Sequence, residues 1–237
     1  FARLTAPEDQ PQLLARIRQG LMLSTASMVP IGALFIALGT PIVALVYERG
    51  AFDSSAAQLV AALLMAYGLG MPAYLGRDVL VRVFYALGDG TTPFRLSLAG
   101  IGLNVIFDWV LVGGPTPWGN QSPFNFGASG LVLATVAINV LTCLMLLLVL
   151  KRRMPAMTLI PWGMDTTRLL LAGVLTGCIV WGMSLGVDWP LGWFGLLARV
   201  GIPSLLGLAF FGLMGSAFGV AEVQEIGTMV LRRMRLR

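Results

Sequence analysis

The chain has 237 residues, of which 57% are hydrophobic and only 11% are charged, and its formal net charge is +5. A soluble domain carries about 25% charged residues, so this composition excludes a soluble globular protein and predicts an integral membrane protein. The two Cys residues lie inside apolar runs and His is absent, which argues against a disulfide framework, a zinc site and a Ser-His-Asp enzyme. We therefore expect a membrane protein without enzyme activity.

The chain begins with a polar stretch, residues 1–19, in which Leu13, Leu14 and Ile17 are spaced for a short amphipathic helix on the membrane surface. The opening FARLTAPEDQ lacks an initiator Met, and we expect the chain to be a fragment of a longer protein. Six apolar runs follow, and a bilayer requires about 20 residues to be crossed by a helix. The predicted spans are 20–47, 56–75, 96–112, 127–150, 169–187 and 196–220.

These spans predict an all-α membrane protein with six transmembrane helices. Residues 20–150 hold four spans, residues 151–166 form a cytoplasmic loop, residues 167–220 hold the last two spans, and residues 221–237 are a basic tail. The sequence GDGTTP lies between the second and third spans, and it lacks the Lys and preceding strand of a phosphate-cradling loop. It predicts a tight turn with Thr92 as the N-cap of the next helix.

The basic residues indicate the orientation of the chain in the membrane. The segments at the N-terminus, after the second span, after the fourth span and at the C-terminus hold fourteen of the sixteen Lys and Arg residues. The three remaining connections hold only Arg49, and Arg199 lies near the start of the sixth span. By the positive-inside rule, both ends of the chain are cytoplasmic. The basic residues are then membrane-side anchors, and nucleic-acid binding is not expected.

Asp108 is the sharpest candidate functional residue, because it is the one charged residue of the third span. A carboxylate inside a membrane helix costs about 2.5–3.5 kcal/mol on insertion scales and is a functional-site hypothesis by default. Asn104 precedes it by four residues and lies on the same helical face. Oxygen ligands of this kind suit a hard cation such as Na⁺, and protonation is the other way to neutralise the acid. Thr135 in the fourth span, which begins a polar face with Asn139 and Thr142, could complete the site.

Two other interpretations of these residues stay open at the level of sequence. In the first, Asn104, Thr135 and Asn139 form interhelical hydrogen bonds that only hold the bundle together. In the second, Asp108 lies close to the uncharged connection 113–126 and is simply hydrated. The small residues at the start of the fourth span, from Gly127 to Gly130, predict a close approach to a neighbouring helix.

Arg77, Asp78 and Arg82 form a second group of interest near the end of the second span. Asp78 and Arg82 are four residues apart and are predicted to pair. Arg77 is then left to contact a phosphate of a substrate head group from an aqueous cavity, with Arg82 beside it. The alternative is that all three side chains reach the cytoplasmic interface as topology anchors.

Over essentially its whole length, the chain resembles the MurJ/MviN family of lipid II flippases. The resemblance is carried by RVFYALGDGTTPFRLSLAGIGLNVIFDWVLV, by the following GASGLVLAT, and by VYERGAF after the first span. It implies that the chain is the C-terminal part of a fourteen-helix transporter of the MOP superfamily, with the N-terminal lobe of the same polypeptide upstream. A longer connection at 113–126 departs from the family pattern, and we assign it no role.

The resemblance also implies a function and a site. The family flips the undecaprenyl-linked peptidoglycan precursor across the bacterial inner membrane by alternating access. The positions that match its cation site are Asn104, Asp108, Thr135 and the backbone carbonyl of Leu131, with Na⁺ or a proton as the coupling ion and no other cofactor. The last two spans would form the groove for the polyprenyl tail, in contact with membrane lipids.

Two competing functions remain at this stage. In one, the chain belongs to the same superfamily but transports a drug or cation, as MATE-type exporters do, or a polysaccharide lipid. The other is a membrane scaffold without transport activity, against which a buried acid such as Asp108 argues.

Overall fold

The computed structural model describes residues 10–47, 54–114, 124–190, 192–220 and 223. In this part of the chain every regular element is an α-helix, and each of the six helices is long and apolar enough to cross a membrane. The helices are α1 Gln10–Tyr47, α2 Ser54–Ala86, α3 Thr91–Val112, α4 Ala128–Arg153, α5 Leu159–Gly186 and α6 Trp193–Ala217. The predicted all-α membrane fold is confirmed. Residues 1–9 and the basic tail from 224 lie outside the described residues.

Helix α1 corrects the prediction of a separate surface helix within residues 1–19. Residues 10–19 continue into the first span as one helix of 38 residues. Leu13 and Ile17 are buried, and they belong to a core cluster that also contains Leu80 and Phe84 of α2. The apolar face that predicted contact with the membrane surface is therefore covered by protein.

The predicted loop 151–166 is also much shorter than expected. Helix α4 continues through Arg153 and α5 begins at Leu159, which leaves only residues 154–158 as the connection. Pro161 is compatible with the helix because it lies in the first turn, where a backbone N–H has no partner within the helix. Trp162 is buried in the core cluster, and this packing holds the additional helical turns in place.

Helix α1 is the centre of the bundle, and α3 lies at its margin. Helix α1 packs on α2, α5 and α6, whereas α2 packs on α4 and α5 packs on α6. Helix α3 contacts mainly α4. The long hydrophobic side chains of α3 therefore remain exposed on its other faces, while its small residues meet α4. This arrangement makes the α3–α4 seam the place where the polar residues of α3 can be buried.

Glycines allow the closest helix contacts. A Cβ atom on Gly32 of α1 would strike the backbone carbonyl of Gly68 in α2, so these two helices cross backbone to backbone. In the same way, a Cβ on Gly130 of α4 would lie 2.6 Å from the carbonyl oxygen of Leu111 in α3. The predicted close approach at the start of the fourth span is confirmed at Gly130. Small residues at such crossings are the usual means by which membrane helices pack tightly.

The turn between α2 and α3 explains the GDGTTP sequence. Gly88 has a positive φ of 76°, and the amide of Asp89 donates to the carbonyl of Phe84 at 2.9 Å, as in a Schellman motif. The Asp89 carboxylate then accepts hydrogen bonds from the backbone amides of Thr91 and Thr92, at 3.1 and 3.0 Å. The predicted cap at Thr92 is wrong, because Asp89 performs that function.

Asp89 also joins this turn to the end of α4. Its carboxylate lies 2.6 Å from the guanidinium of Arg153, which also donates to the Thr92 hydroxyl at 3.3 Å. Hydrogen bonds from Thr92 and Thr91, together with the nearby Arg153, hold the pKa of Asp89 well below its usual range. We call the contact among Asp89, Thr92 and Arg153 the α2–α4 clasp.

The clasp leads to a stability prediction with a defined pH dependence. A carboxyl group whose pKa is lowered by folding stabilises the fold above its ordinary pKa of about 4, and this contribution is lost as the pH falls through the lower folded value. Thermal unfolding in detergent should therefore show that Arg153→Gln lowers the Tm by a constant amount between pH 5 and 8. The exposed neighbour Arg152→Gln is the matched control and should leave the Tm nearly unchanged. An equal effect of the two substitutions would contradict a role for the clasp.

Candidate ion and substrate site

The polar stripe of α3 carries the principal candidate residues. Asn104 and Asp108 are both half-buried, and the Asn104 amide donates from Nδ2 to Oδ2 of Asp108 at 2.8 Å. The prediction that they share one helical face is confirmed. The other carboxylate oxygen of Asp108, Oδ1, is buried, and no hydrogen-bond partner reaches it among the described residues. A buried carboxylate oxygen without a donor is a strong acceptor available to a cation or a proton.

The opposing stripe of α4 presents further oxygen atoms. The Thr135 hydroxyl donates to the backbone carbonyl of Leu131 at 2.9 Å, which places these two predicted ligands side by side. One turn later, the Asn139 amide donates from Nδ2 to the carbonyl of Thr135 at 2.8 Å. Asn139 is buried, and its Oδ1 has no partner among the residues described.

The hydrogen bonds of these residues do not join α3 to α4 among the described residues. Those recorded for Asn104, Thr135 and Asn139 all run within their own helix, from Asn104 along α3 and from Thr135 and Asn139 along α4. An amide that served to hold the bundle together would bond to the neighbouring helix instead. The interpretation of Asp108 as a shallow, hydrated acid is weakened as well, because its Oδ1 is buried.

A cavity of about 390 Å³, which we call the polar cavity because six polar side chains help to line it, lies between α2, α3 and α4. Asn104, Thr135, Asn139 and Thr142 line it, and Arg77 of α2 reaches it as well. Asp108 lies one turn beyond Asn104 along α3, at the end of this space. The two groups that the sequence treats separately, the intramembrane acid and amides and the cationic Arg77, therefore share one polar region of the bundle.

The pairing predicted near the end of α2 is corrected. Asp78 pairs with the preceding Arg77, whose Nη2 lies 3.1 Å from the carboxylate, rather than with Arg82 one turn later. Arg82 is exposed, on a different side of α2 from the cavity that Arg77 lines. Arg77 and Asp78 can pair although they are adjacent, because both side chains lie at the margin of the helix bundle, outside the packed surface. The proposed contact of Arg77 and Arg82 with a substrate head group stays a prediction.

Asn139 is the residue whose importance sequence reasoning underestimated. Its spacing from Thr135 and Thr142 indicated a polar face, but nothing in the sequence showed that its amide oxygen would be buried without a partner. The signal that could have identified it is the lone amide at the centre of an apolar run, AINVL. In an apolar helix an amide needs a partner as much as an acid does.

An apolar cavity of about 440 Å³ lies on the opposite side of the bundle, between α1, α2 and α5. Glycines form much of its wall, and Cys178 and Trp181 of α5 also line it. Helix α6 contributes none of the residues that line this cavity. The tail groove that the resemblance places between the last two spans stays a prediction.

The comparisons with known proteins agree with one another. The family profile described as MurJ, lipid II flippase MurJ, matches residues 1–198. A curated relative from Synechocystis sp., described as "Probable lipid II flippase MurJ", is 46% identical over 193 residues, which are 81% of this chain and 34% of the relative. The chain thus spans about a third of the length of that relative.

Two further likenesses are weaker. A solved structure of "Lipid II flippase MurJ, inward closed conformation" superposes with a TM-score of 0.67 over 92% of this chain and 41% of that chain, at 23% identity, and supports the fold. A relative from Mannheimia succiniciproducens, described as "Probable multidrug resistance protein NorM", is 26% identical over 148 residues, which are 61% of this chain and 29% of the relative.

The fold and the site define a multi-pass α-helical membrane protein with a polar cavity inside its helix bundle. A family match over residues 1–198 and the 46% identity to a curated member then identify the family. The chain belongs to the lipid II flippase MurJ family. The resemblance noted from the sequence is confirmed.

Proposed function

We propose that this chain is part of a flippase for the undecaprenyl-linked peptidoglycan precursor, lipid II, in the bacterial inner membrane. Membership of the MurJ family supports this substrate. The distribution of Lys and Arg supports an orientation in which both ends of the chain are cytoplasmic. The protein moves a lipid without chemical change and has no enzyme activity of its own.

The mechanism that we propose is ion-coupled alternating access. The observation that carries it is the buried, unpartnered Oδ1 of Asp108 beside Asn104, in a helix that is otherwise apolar. A Na⁺ ion bound by Asn104, Asp108, Thr135 and the Leu131 carbonyl would neutralise the acid, and a proton on Asp108 would do the same. Neutralisation favours one packing of α3 on α4 over another, so that the cavity opens to one side of the membrane.

Helix α3 is well suited to move in such a cycle. It packs on α4 and touches the rest of the described bundle very little, so its position depends mainly on one seam. That seam carries both the close contact of Gly130 with Leu111 and the proposed ion ligands. A change in charge at Asp108 therefore acts directly on the seam between α3 and α4.

The substrate would be held by two other parts of the protein. Arg77, which lines the polar cavity, and Arg82 offer guanidinium groups for the pyrophosphate of the head group. The last two helices and the surrounding membrane lipids would accommodate the polyprenyl tail. Most contacts with the head group would come from the N-terminal lobe that the family resemblance implies upstream of these helices.

Complementation tests the proposed substrate. The complete gene product that carries these residues should rescue growth of a bacterium depleted of its own lipid II flippase, and should prevent lysis and accumulation of the precursor. Accumulation of precursor despite stable insertion of the protein would contradict the proposal.

A MATE-type exporter is the second candidate, and the likeness to the NorM relative is the observation that favours it. The same depletion experiment separates the two functions. An exporter would protect the cells against cationic drugs and leave precursor translocation unchanged. A flippase for another polysaccharide lipid would accept that lipid in place of lipid II.

A further inference from the structure

The polar cavity extends well beyond the candidate cation ligands, along the seam between α3 and α4. Ser97 lines it two turns before Asn104 on α3, and Thr142 lines it two turns after Thr135 on α4. The two helices are antiparallel, since Gly100 lies against Thr142 while Leu111 lies against Gly130. Ser97 and Thr142 therefore lie at the same end, and the polar track is about 10 Å long at 1.5 Å per residue.

The buried amide of Asn139 lies midway along this track. Its side chain is only 5% exposed, and its Oδ1 has no hydrogen-bond partner among the described residues. Its Nδ2 is already used by the carbonyl of Thr135, so the side chain is held with its oxygen as the free end. A buried acceptor of this kind costs free energy unless water or a ligand satisfies it.

The chemistry of the cavity wall selects the ligand. Apart from Arg77, the side chains that line the cavity are uncharged, and none of them changes its protonation state near neutral pH. Hydroxyl and carboxamide oxygens are ligands for hard cations. An amide oxygen can coordinate Na⁺ but cannot carry a proton at neutral pH, so the track favours a hydrated cation over a proton.

We propose that this cavity is a hydrated vestibule through which Na⁺ enters and leaves the site at Asn104, Asp108 and Thr135, with Oδ1 of Asn139 as its ligand on the way. This inference rests on the proposed ion-coupled function and adds a route, an additional ligand and a choice of ion. The cavity wall runs from Asn104 and Thr135 toward the end of the bundle where α3 begins and α4 ends, which is the cytoplasmic end in the proposed orientation.

Because of Arg77, the vestibule serves as a route for Na⁺ rather than as a second binding site. Its positive charge opposes the residence of a cation nearby, and its ion pair with Asp78 only partly offsets that charge. A cation is consequently held most strongly at Asp108, the single acid of α3, and weakly along the track. Weak binding of Na⁺ at Asn139 allows the ion to be released rapidly.

Cysteine labelling tests whether the vestibule is hydrated and where it opens. The complete protein is prepared without its native thiols, which include Cys143 and Cys178, and Ser97→Cys or Thr142→Cys is then introduced. A charged methanethiosulfonate reagent is added to inverted vesicles, which expose the cytoplasmic face. Thiols react as thiolates in contact with water, so both positions should react at least about tenfold faster than thiols that face lipid.

The controls are Leu144→Cys and Leu148→Cys, whose positions on α4 are 51% and 47% exposed on the outer surface of the bundle. We further expect Na⁺, but not choline, to slow the labelling of Thr142→Cys. Labelling of Ser97→Cys and Thr142→Cys no faster than the controls would overturn the proposal. Rapid labelling that Na⁺ leaves unchanged would also overturn it, since the cavity would then be wet without being the route of the ion.

Asn139→Leu tests the ligand separately, because Leu branches at the same atom as Asn and carries methyl groups in place of the amide oxygen and nitrogen. The half-saturating Na⁺ concentration for flipping should rise several-fold while dependence on Na⁺ is retained. An unchanged Na⁺ concentration would remove Asn139 from the route. Failure of the coupled function has a different signature, since Asp108→Asn would then leave the Na⁺ dependence intact whatever the labelling shows.

Discussion

Asp108→Asn is expected to produce a protein that inserts and folds normally but flips its substrate without any dependence on the coupling ion. Asn has the shape of Asp, and its side-chain oxygen can still accept the hydrogen bond that Asn104 donates at 2.8 Å. What is lost is the charge, which costs about 2.5–3.5 kcal/mol in a membrane helix and which the ion compensates in the proposed cycle. Flipping measured in proteoliposomes with and without a Na⁺ gradient gives the result directly.

The matched control is Asp188→Asn, which removes an exposed acid from the turn between α5 and α6. This substitution should leave the ion dependence as it is in the original protein. If Asp108→Asn also retained the full ion dependence, Asp108 would not be the coupling residue. If Asp108→Leu proved silent in every transport assay, the interpretation of the protein as a scaffold would gain support.

Gly32→Val in α1 is expected to lower the stability of the fold strongly. The added Cβ would overlap the backbone carbonyl of Gly68, and a backbone atom cannot move aside as a flexible side chain can. Overpacking in a tight core typically costs about 1–3 kcal/mol, and we expect the upper end because the whole α1–α2 crossing must widen. Thermal unfolding of the purified protein in detergent measures the effect as a lower Tm.

The control for this prediction is Gly182→Val in α5, where an added Cβ meets no atom within 4 Å. Both substitutions replace a helical Gly by the same β-branched residue, so their difference isolates the contact at the crossing. A Tm for Gly32→Val equal to that of Gly182→Val would show that α1 and α2 do not cross as closely as described.

The number and order of the membrane helices could be predicted from the sequence because hydrocarbon imposes a strict requirement on composition. A span needs about 20 apolar residues, and its backbone hydrogen bonds must be satisfied within the helix. The ends of the helices were harder to predict. The stretches from Gln10 to Gly20 and from Leu159 to Arg168 contain polar or charged residues and a Pro, which predicted segments outside the spans. They nevertheless extend α1 and α5, because their apolar side chains pack on the core cluster with α2 and α4.

The candidate site was predictable in part for a similar reason. A lone acid and an amide four residues apart in α3 are visible without a structure, because the cost of burying them makes them exceptional. The shared cavity was not visible, since it depends on how α2, α3 and α4 pack. Periodicity places Arg77 on a face of α2, but only the fold brings that face beside Asn139.

The clasp illustrates a further limit of sequence reasoning. Asp89 and Thr92 belong to the short sequence that carried the family resemblance, and Thr92 suggested a helix cap by itself. Their partner Arg153 is 61 residues from Thr92, so its contact could not be read from local spacing. The structure gives a physical reason for the motif: it ends α2, begins α3 and ties both to the last turn of α4.

Equilibrium binding of radioactive Na⁺ to the purified protein tests the central claim most directly. We expect saturable Na⁺ binding that is lost in Asp108→Asn and preserved in Asp188→Asn. Equal saturable binding by the original and the Asp108→Asn proteins would contradict the role of Asp108, and the absence of saturable binding in both would contradict Na⁺ as the coupling ion.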